Sequence, residues 1–281
     1  MIPAAFDYIA PDTLEDAISA LKGGGEDAKL LAGGHSLLPL MKLRLAAPSL
    51  LVDLRKVPGL DGAARENGGW RIGAMTRHAA LERNGELGVL ARAAGTIADP
   101  QVRNRGTIGG SLAHGDPASD LPAVLLIADG SVTVRGSGGE RSIAAGDLFQ
   151  DYLETSIAPD EVLTEVRVAD LGEYGFGYQK FNRRSEDWAM VAVAAVVKKV
   201  DNVIEDVRVG LTNMGNVPLR AGAVEEALRG QPPDAERIAR AAEQAAEGTD
   251  PPADLNASAD YKRHLARVLT RRALEDAAGL S

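Results

Sequence analysis

Short apolar runs alternate with helical patterns over the first part of the chain. Continuous runs predict strands at residues 7–9, 29–32, 49–54, 69–75 and 131–135. Apolar positions that recur every three or four residues predict helices at residues 13–22, 37–45, 81–94 and 121–128. Residues 97–106 follow neither pattern and are expected to be irregular. This part of the chain is therefore expected to mix helices and strands.

Long strands followed by helices are typical of the remainder of the chain. Strands are predicted at residues 175–181, 189–199 and 203–212, and Asp201-Asn202 is typical of a hairpin turn between the last two. Helices are predicted at residues 223–229, 235–247 and 259–277. The change of pattern predicts two domains, residues 1–172, with lobes of about 1–55 and 56–172, and residues 173–281.

Composition and charge exclude several classes of function. A net charge of −9 argues against sequence-independent binding of nucleic acid, which needs clustered Lys and Arg. No apolar run approaches the roughly 20 residues of a membrane helix, and the N-terminus has no basic and apolar leader, so we expect a cytoplasmic protein. The chain has no cysteine, and therefore no thiols for disulfides or iron–sulfur clusters. Its four histidines include no i, i+4 pair, and no metal site is predicted.

Two glycine-containing segments are the strongest candidates for ligand binding. The first glycine segment is Ala32-Gly33-Gly34-His35-Ser36, and the second glycine segment is Thr107-Ile108-Gly109-Gly110-Ser111. Glycine lets the main chain approach a phosphate and present successive N–H groups to it, and a helix that begins at Ser36 would add a positive dipole end. Two such cradles predict a ligand with two linked phosphates, a dinucleotide. The alternative for each segment is an ordinary tight turn between a strand and a helix.

The common nucleotide-binding motifs are missing. Gly175-Phe176-Gly177 is not a dinucleotide fingerprint, because Lys180 stands where a third glycine is needed. No P-loop and no nucleophile elbow is present. The predicted dinucleotide must therefore be held in another way.

Four polar or aromatic residues near these motifs have open roles. Asp120 could accept a hydrogen bond from a nucleotide sugar or base, or cap the helix that follows it. His35 and His114 could donate to a phosphate or to a flavin, and His114 could instead be a solvated turn residue. Trp188 could lie against a ring or belong to the core.

Three segments together carry a resemblance to a known family. Residues 30–42, 106–111 and 116–122 resemble the FAD-binding (medium) subunit of the molybdenum hydroxylases, most closely its carbon monoxide dehydrogenase branch. The resemblance extends over essentially the whole chain. It implies an α+β fold in which a two-lobed FAD-binding domain of the vanillyl-alcohol-oxidase (PCMH) type precedes a smaller C-terminal domain with a three-stranded antiparallel sheet and helices.

The resemblance also implies which residues contact FAD. At the pyrophosphate it implies Leu30, Leu31, Ala32, Gly33, Gly34, His35, Ser36, Leu37, Thr107, Ile108, Gly109, Gly110 and Ser111. Asp120 would bind the adenosine side, Ile97 would pack near the cofactor, and Leu163 and Lys180 would approach the flavin. Trp188 would lie near the isoalloxazine ring.

The implied function is electron transfer, with no catalytic residue on this chain. In such complexes a large molybdopterin subunit oxidises the substrate, two 2Fe-2S clusters on a small iron–sulfur subunit relay electrons, and the flavin passes them to an external acceptor. A dimer of heterotrimers is the expected assembly. Two alternatives stay open: a free-standing FAD-dependent oxidoreductase acting on its own small-molecule substrate, and a non-catalytic nucleotide-binding subunit.

Three expectations about substitution and attachment follow. Valine at Gly34 or Gly110 is expected to abolish FAD retention, because a Cβ would fill the approach that the phosphates need. His78 and His264 are expected to lie outside the site, so that their alanine variants keep FAD. Although Gly33-Gly34-His35 also resembles the loop in which berberine-bridge-type oxidases hold FAD covalently, non-covalent FAD is expected here.

Overall fold

A computed structural model describes residues 2–280 of the chain. The chain begins with a three-stranded parallel sheet, the N-terminal sheet, in the strand order β1-β3-β2. Its elements are β1 (Asp7–Ile9), α1 (Leu14–Gly24), β2 (Ala28–Leu31), α2 (Leu37–Lys42) and β3 (Leu50–Asp53). Thr13 caps α1 by accepting a hydrogen bond from the amide of Asp16. The first glycine segment connects β2 to α2.

The middle of the chain forms a five-stranded antiparallel sheet, the middle sheet, in the order β4-β5-β10-β6-β7. Its elements in chain order are β4 (Ala63–Glu66), β5 (Gly69–Gly73), α3 (His78–Arg83), α4 (Val89–Ala94), α5 (Pro100–Arg103), α6 (Ile108–His114), α7 (Asp120–Ile127), β6 (Ser131–Gly136), β7 (Gly139–Ala144), α8 (Ala145–Leu148), β8 (Phe149–Asp151), β9 (Glu154–Thr155) and β10 (Val162–Ala169). Strands β8 and β9 pair only with each other. The second glycine segment forms the cap and first turn of α6.

The C-terminal sheet has four antiparallel strands in sequence order, followed by three helices. The elements are β11 (Gly175–Phe181), β12 (Val191–Val200), β13 (Val203–Thr212), β14 (Leu219–Arg220), α9 (Gly222–Leu228), α10 (Ala235–Ala242) and α11 (Ala259–Ala278). The predicted hairpin between β12 and β13 is present, and Asp201 and Asn202 both have positive φ. The three predicted strands are confirmed, and the two-residue β14 extends the sheet beyond them.

Strand β12 is buried on both faces. Ala192, Ala194 and Val196 belong to the core of the middle sheet, together with residues of α4 and α7. The alternate residues, of which Val193 and Ala195 are examples, pack in a second core with α11. A strand covered on both sides is apolar at every position, which is why residues 191–197 show no polar alternation.

Two glycines in β11 let α11 lie directly against the sheet. A Cβ at Gly175 would be 2.1 Å from the carbonyl oxygen of Ala277, and one at Gly177 would be 2.1 Å from that of Ala273. The Gly175-Phe176-Gly177 motif is therefore a packing motif between helix and strand.

The predicted helix over residues 81–94 is wrong as one continuous element. The chain forms α3, a single 3-10 turn at Gly85–Leu87, and then α4. Asn84 accepts from the amide of Glu86, and Gly88 adopts a φ of +54°. Apolar spacing is preserved across such a break, so periodicity alone predicts one helix.

The predictions on either side of the two glycine segments also need correction. Helix α2 ends at Lys42 instead of residue 45, and Leu45 is 73% exposed. Arg44 follows with a φ of +59°, which ends the helix. The segment at 97–106 is not wholly irregular, because Asp99 caps the short helix α5.

Candidate functional site

A cavity of about 510 Å³ is lined by residues from all three sheet regions. Its volume falls in the range of small-molecule and cofactor sites, about 300–1,000 Å³. The walls come from the β2–α2 connection, from α6 and the start of α7, from β10, and from β11 with the loop that follows it. One cavity thus draws on segments spread from residue 29 to residue 188.

The cavity brings together the predicted cofactor contacts, with one exception. It is lined by Leu30, Leu31, Ala32, Gly33, Gly34, His35, Ser36, Leu37, Ile97, Thr107, Gly109, Gly110, Ser111, Asp120, Leu163 and Lys180. Ile108 is the exception, because its side chain is 1% exposed and packs in the core of the middle sheet. His114 and Trp188 also line the cavity, and Trp188, at 53% exposed, is not a core residue.

The first glycine segment presents unpaired backbone donors. Within residues 2–280, no hydrogen bond engages the amides of Gly33, Gly34, His35 or Ser36. Gly34 has a φ of +80°, a conformation that glycine adopts without strain. Successive free amides in such a turn are suited to receive an anion, which is the role that the sequence predicts for them.

The helix that follows this segment contributes less than expected. Helix α2 has only six residues, and the Ser36 side chain makes no capping hydrogen bond. Ser36 is itself close to helical, with φ of −97° and ψ of −51°. The free amides, and not a capped helix, are therefore the donors of this wall.

The second glycine segment differs from the prediction, because the amides of its last four residues are already engaged. Ile108 and Gly109 donate to the carbonyl oxygens of Thr76 (3.0 Å) and Ala74 (2.8 Å). Gly110 donates to the hydroxyl and Ser111 to the carbonyl oxygen of Thr107. This segment is therefore not a second nest of free amides, and its polar contribution to the cavity is the hydroxyl groups of Thr107 and Ser111.

Glycine is required where the chain segments touch. A Cβ at Gly33 would lie 2.6 Å from the carbonyl oxygen of Arg105 and 2.7 Å from the Cα of Gly106. A Cβ at Gly109 would lie 2.6 Å from the Cβ of Ala74. All three distances are shorter than non-bonded contacts allow, so Gly33 and Gly109 permit close packing of the chain segments.

The physical reason expected at Gly34 and Gly110 is also different. A Cβ at Gly34 would meet Leu38 Cδ1 at 3.0 Å, and one at Gly110 would meet Thr107 Oγ1 at 2.8 Å. Both added Cβ atoms would point at protein atoms and not into the space that a phosphate would occupy. A side chain at Gly34 would be strained by the positive φ of that residue. A side chain at Gly110 would clash with the hydroxyl of Thr107 that caps α6. These two effects, and not a blocked phosphate, are the reasons why glycine is needed at both positions.

Asp120, Tyr178 and Lys180 form a buried network in the cavity wall. The Tyr178 hydroxyl donates to Asp120 Oδ1 over 2.6 Å, and Lys180 Nζ donates to Asp120 Oδ2 over 2.9 Å and to the carbonyl oxygen of Thr96 over 3.1 Å. The side chains of Asp120 and Lys180 are 4% and 5% exposed. Asp120 therefore does not cap α7, since its carboxylate is held by β11 instead. Lys180 keeps one N–H for the cavity.

Burial governs the protonation of this network. It raises the pKa of the Asp120 carboxyl, and the Lys180 ammonium and the Tyr178 hydroxyl oppose that rise. Burial and the adjacent carboxyl raise the pKa of Tyr178 well above its usual range. Tyr178 therefore stays a phenol and a hydrogen-bond donor at physiological pH.

His78 lines the cavity, so the prediction that it lies outside the site is wrong. Its ring is 5% exposed, and burial lowers its pKa to about 4, with smaller contributions from His35 and Arg103. His264 stacks on Tyr261 and does not line the cavity, as predicted.

Other wall residues also escaped prediction. They include Leu54, Ala74, Met75, Ala98, Val102, Ile157 and Glu161. None lies in a glycine-rich or charged motif, and each reaches the cavity only through tertiary packing. No local signal in the sequence marks them.

Acidification is expected to destabilise the protein through His78. The pKa is about 4 in the folded protein against an ordinary value of 6.5, so between these values the unfolded chain binds more protons. The stabilisation is complete above pH 6.5 and is lost as the pH falls to 4, at a cost of about 3 kcal/mol. Urea unfolding between pH 7 and pH 4 should show this slope in the wild type and a shallower one in His78→Gln. Equal slopes would contradict the assignment.

Comparison with known proteins identifies the class of protein. The chain belongs to the FAD-binding subunits of the molybdopterin dehydrogenases. The family described as "FAD binding domain in molybdopterin dehydrogenase" matches residues 4–169, and the "CO dehydrogenase flavoprotein C-terminal domain" matches residues 176–277.

Individual relatives match over almost their full length. The carbon monoxide dehydrogenase medium chain of Hydrogenophaga pseudoflava is 40% identical over 282 residues, covering 99% of this chain and 98% of that one. The nicotine 6-hydroxylase medium subunit of Paenarthrobacter nicotinovorans is 40% identical over 277 residues, or 97% of each chain. A solved structure of the Hydrogenophaga pseudoflava carbon monoxide dehydrogenase, in a form lacking the Mo-pyranopterin moiety, contains a chain with a TM-score of 0.96 and 41% identity, covering 100% of this chain and 99% of that one.

These matches confirm four of the predictions. The family resemblance, the α+β fold with an FAD-binding domain before a C-terminal domain, the cofactor FAD and the class of oxidoreductase are all established. The relatives are medium subunits of multi-subunit complexes. In the described part of the chain, no helix is both long and apolar enough to cross a bilayer.

Proposed function

We propose that this chain is the FAD-containing electron-transfer subunit of a three-component molybdenum hydroxylase. It would take electrons from 2Fe-2S clusters of a small partner subunit and pass them to an external acceptor, while a large molybdopterin subunit oxidises the substrate. The observation that carries the proposal is a full-length match to medium chains in a protein without a single cysteine. Such a chain needs a partner to hold the clusters.

The chemistry of the cavity walls fits FAD. We propose that the free amides of the first glycine segment, with the hydroxyls of Thr107 and Ser111, hold the pyrophosphate. Asp120 would face the adenosine side, with Leu163, Lys180 and Trp188 near the flavin. Bound flavin supplies a carrier that exchanges either one or two electrons, and the chain's own residues orient it and exclude water from it.

The identity of the substrate does not follow from this chain. Relatives named for carbon monoxide and for nicotine are each 40% identical to it. We therefore place substrate selection on the molybdopterin subunit, in a cytoplasmic dimer of heterotrimers. We also propose that the domains divide at residues 172 and 173, within the link between β10 and β11, since neither matched family covers residues 170–175.

Purification of the tagged chain from its source organism tests the function. A cysteine-rich chain and a larger chain should co-elute with flavin, iron and molybdenum, and the substrate should reduce the clusters before the flavin. A chain that elutes alone with FAD and is reduced directly by a small substrate would identify a free-standing oxidoreductase. Folded protein without flavin absorbance after incubation with FAD would identify a non-catalytic subunit.

Acid precipitation tests the mode of FAD attachment. We expect the yellow colour to stay in the supernatant, because the chain outside Gly33-Gly34-His35 does not follow the berberine-bridge-type oxidases that bind FAD covalently. Absorbance at flavin wavelengths measures the split between supernatant and pellet. Colour retained in the washed pellet would show a covalent bond.

A further inference from the structure

His78 is held against Gly106, the residue before the second glycine segment, more closely than any residue but glycine would permit. It begins α3, and its amide donates to the carbonyl oxygen of Gly106 over 3.0 Å. A Cβ at Gly106 would lie 2.6 Å from Cδ2 and 2.9 Å from Nε2 of the imidazole. The ring is therefore fixed in place at the cavity wall.

The hydrogen bonds of this ring are incomplete. Nδ1 is buried and has no partner within residues 2–280. Nε2 is not among the buried unpartnered atoms, although no hydrogen bond engages it, so this nitrogen is the one that the cavity reaches. Burial keeps the pKa of His78 near 4, and the ring carries a single proton at neutral pH.

The single proton belongs on Nε2. An orphaned buried N–H is rarer and costlier than an orphaned lone pair, so Nδ1 is the unprotonated nitrogen. The ring then offers one N–H donor toward the cavity. It does so beside Gly106, which also lies against Gly33 and hence next to the free amides of the first glycine segment.

We propose that His78 is a cofactor-positioning residue, whose Nε2–H donates a hydrogen bond to an oxygen of the phosphate–ribose part of the bound dinucleotide. This inference rests on the proposed function, because it assumes that the cavity holds FAD. The first glycine segment supplies amides from one side of the junction at Gly33 and Gly106, and His78 supplies a neutral donor from the other. A neutral donor adds a directed hydrogen bond without adding a further charge to the wall.

Two variants of similar side-chain volume distinguish whether His78 acts as a hydrogen-bond donor to FAD or only as a packing residue. His78→Met removes the hydrogen-bond donor, and His78→Gln keeps an N–H near the position of Nε2. FAD binding to the full-length apoprotein is measured by flavin fluorescence. We expect the dissociation constant to rise about 10- to 100-fold in His78→Met and to return to within about threefold of wild type in His78→Gln. His264→Met is the matched control, because that ring lies outside the cavity, and it should bind FAD as the wild type does.

The thermal midpoint of each apoprotein reports folding separately from binding. His78→Leu takes the place of His78→Met if the latter is unfolded. Wild-type affinity in the variant without a donor, or an equal loss in His78→Gln and His78→Met, would overturn the inference and leave the FAD site intact. Failure of the wild-type apoprotein to bind FAD would overturn the proposed function instead, so the two failures are distinct.

Discussion

Alanine or valine at Gly33 is expected to lower the affinity for FAD at least about a hundredfold. The added Cβ would lie 2.6 Å from the carbonyl oxygen of Arg105 and 2.7 Å from the Cα of Gly106, and both of these are main-chain atoms that cannot rotate away. The two segments must separate, and the free amides of the first glycine segment would move with respect to the cavity. Because the clash involves the Cβ itself, alanine and valine should have similar effects. Fluorescence titration of the apoprotein measures the loss.

Gly23→Val is the matched control for this experiment. Gly23 lies in the last turn of α1, and a Cβ there would meet no atom within 4 Å. This variant should bind FAD as the wild type does. A Gly33→Ala protein with unchanged affinity would show that contact between the two segments is dispensable for the site.

Replacement of Lys180 by methionine is expected to lower the free energy of unfolding by about 3–5 kcal/mol. The change leaves the Asp120 carboxyl, 4% exposed, without its cation, although Tyr178 still donates to it. The network joins α7 to β11, so both the middle and the C-terminal sheets should be affected. Equilibrium unfolding in urea measures the change in full-length apoprotein.

The double variant Asp120→Leu with Lys180→Met distinguishes an unpaired charge from lost packing. Removal of both charges should recover part of the stability, because a buried pair contributes little net stability compared with apolar side chains of similar volume. Arg240→Met is the control, since it breaks an exposed pair with Glu236 and should leave stability unchanged within error. A Lys180→Met protein as stable as that control would contradict the buried-pair account.

The sequence predicted this site well where local chemistry decided the structure. The first glycine segment lies between a strand and a helix and presents free amides, as its composition indicates. The predicted hairpin turn at Asp201-Asn202 is present for a similar reason, because both residues tolerate positive φ. In each case a few adjacent residues determine the backbone.

Prediction failed where the partner of a group lies far away in the sequence. The amides of Ile108 and Gly109 look free in the sequence, but carbonyl oxygens of residues 74 and 76 occupy them. Asp120 has the spacing of a helix cap, yet its carboxylate is bound by residues 58 and 60 positions further on. His78 carries no motif at all. Burial and long-range hydrogen bonds decide such roles, and no window of adjacent residues contains them.

The double burial of strand β12 limits how this chain could be divided. The strand belongs to the second matched family, but one of its faces packs in the core of the first. A fragment ending at residue 172 would expose the apolar side of α4 and α7 to water and leave the cofactor cavity without the wall that Lys180 and Trp188 provide. The second matched family thus supplies both a wall of the cavity and one face of the core of the first, so we expect neither part to fold properly without the other.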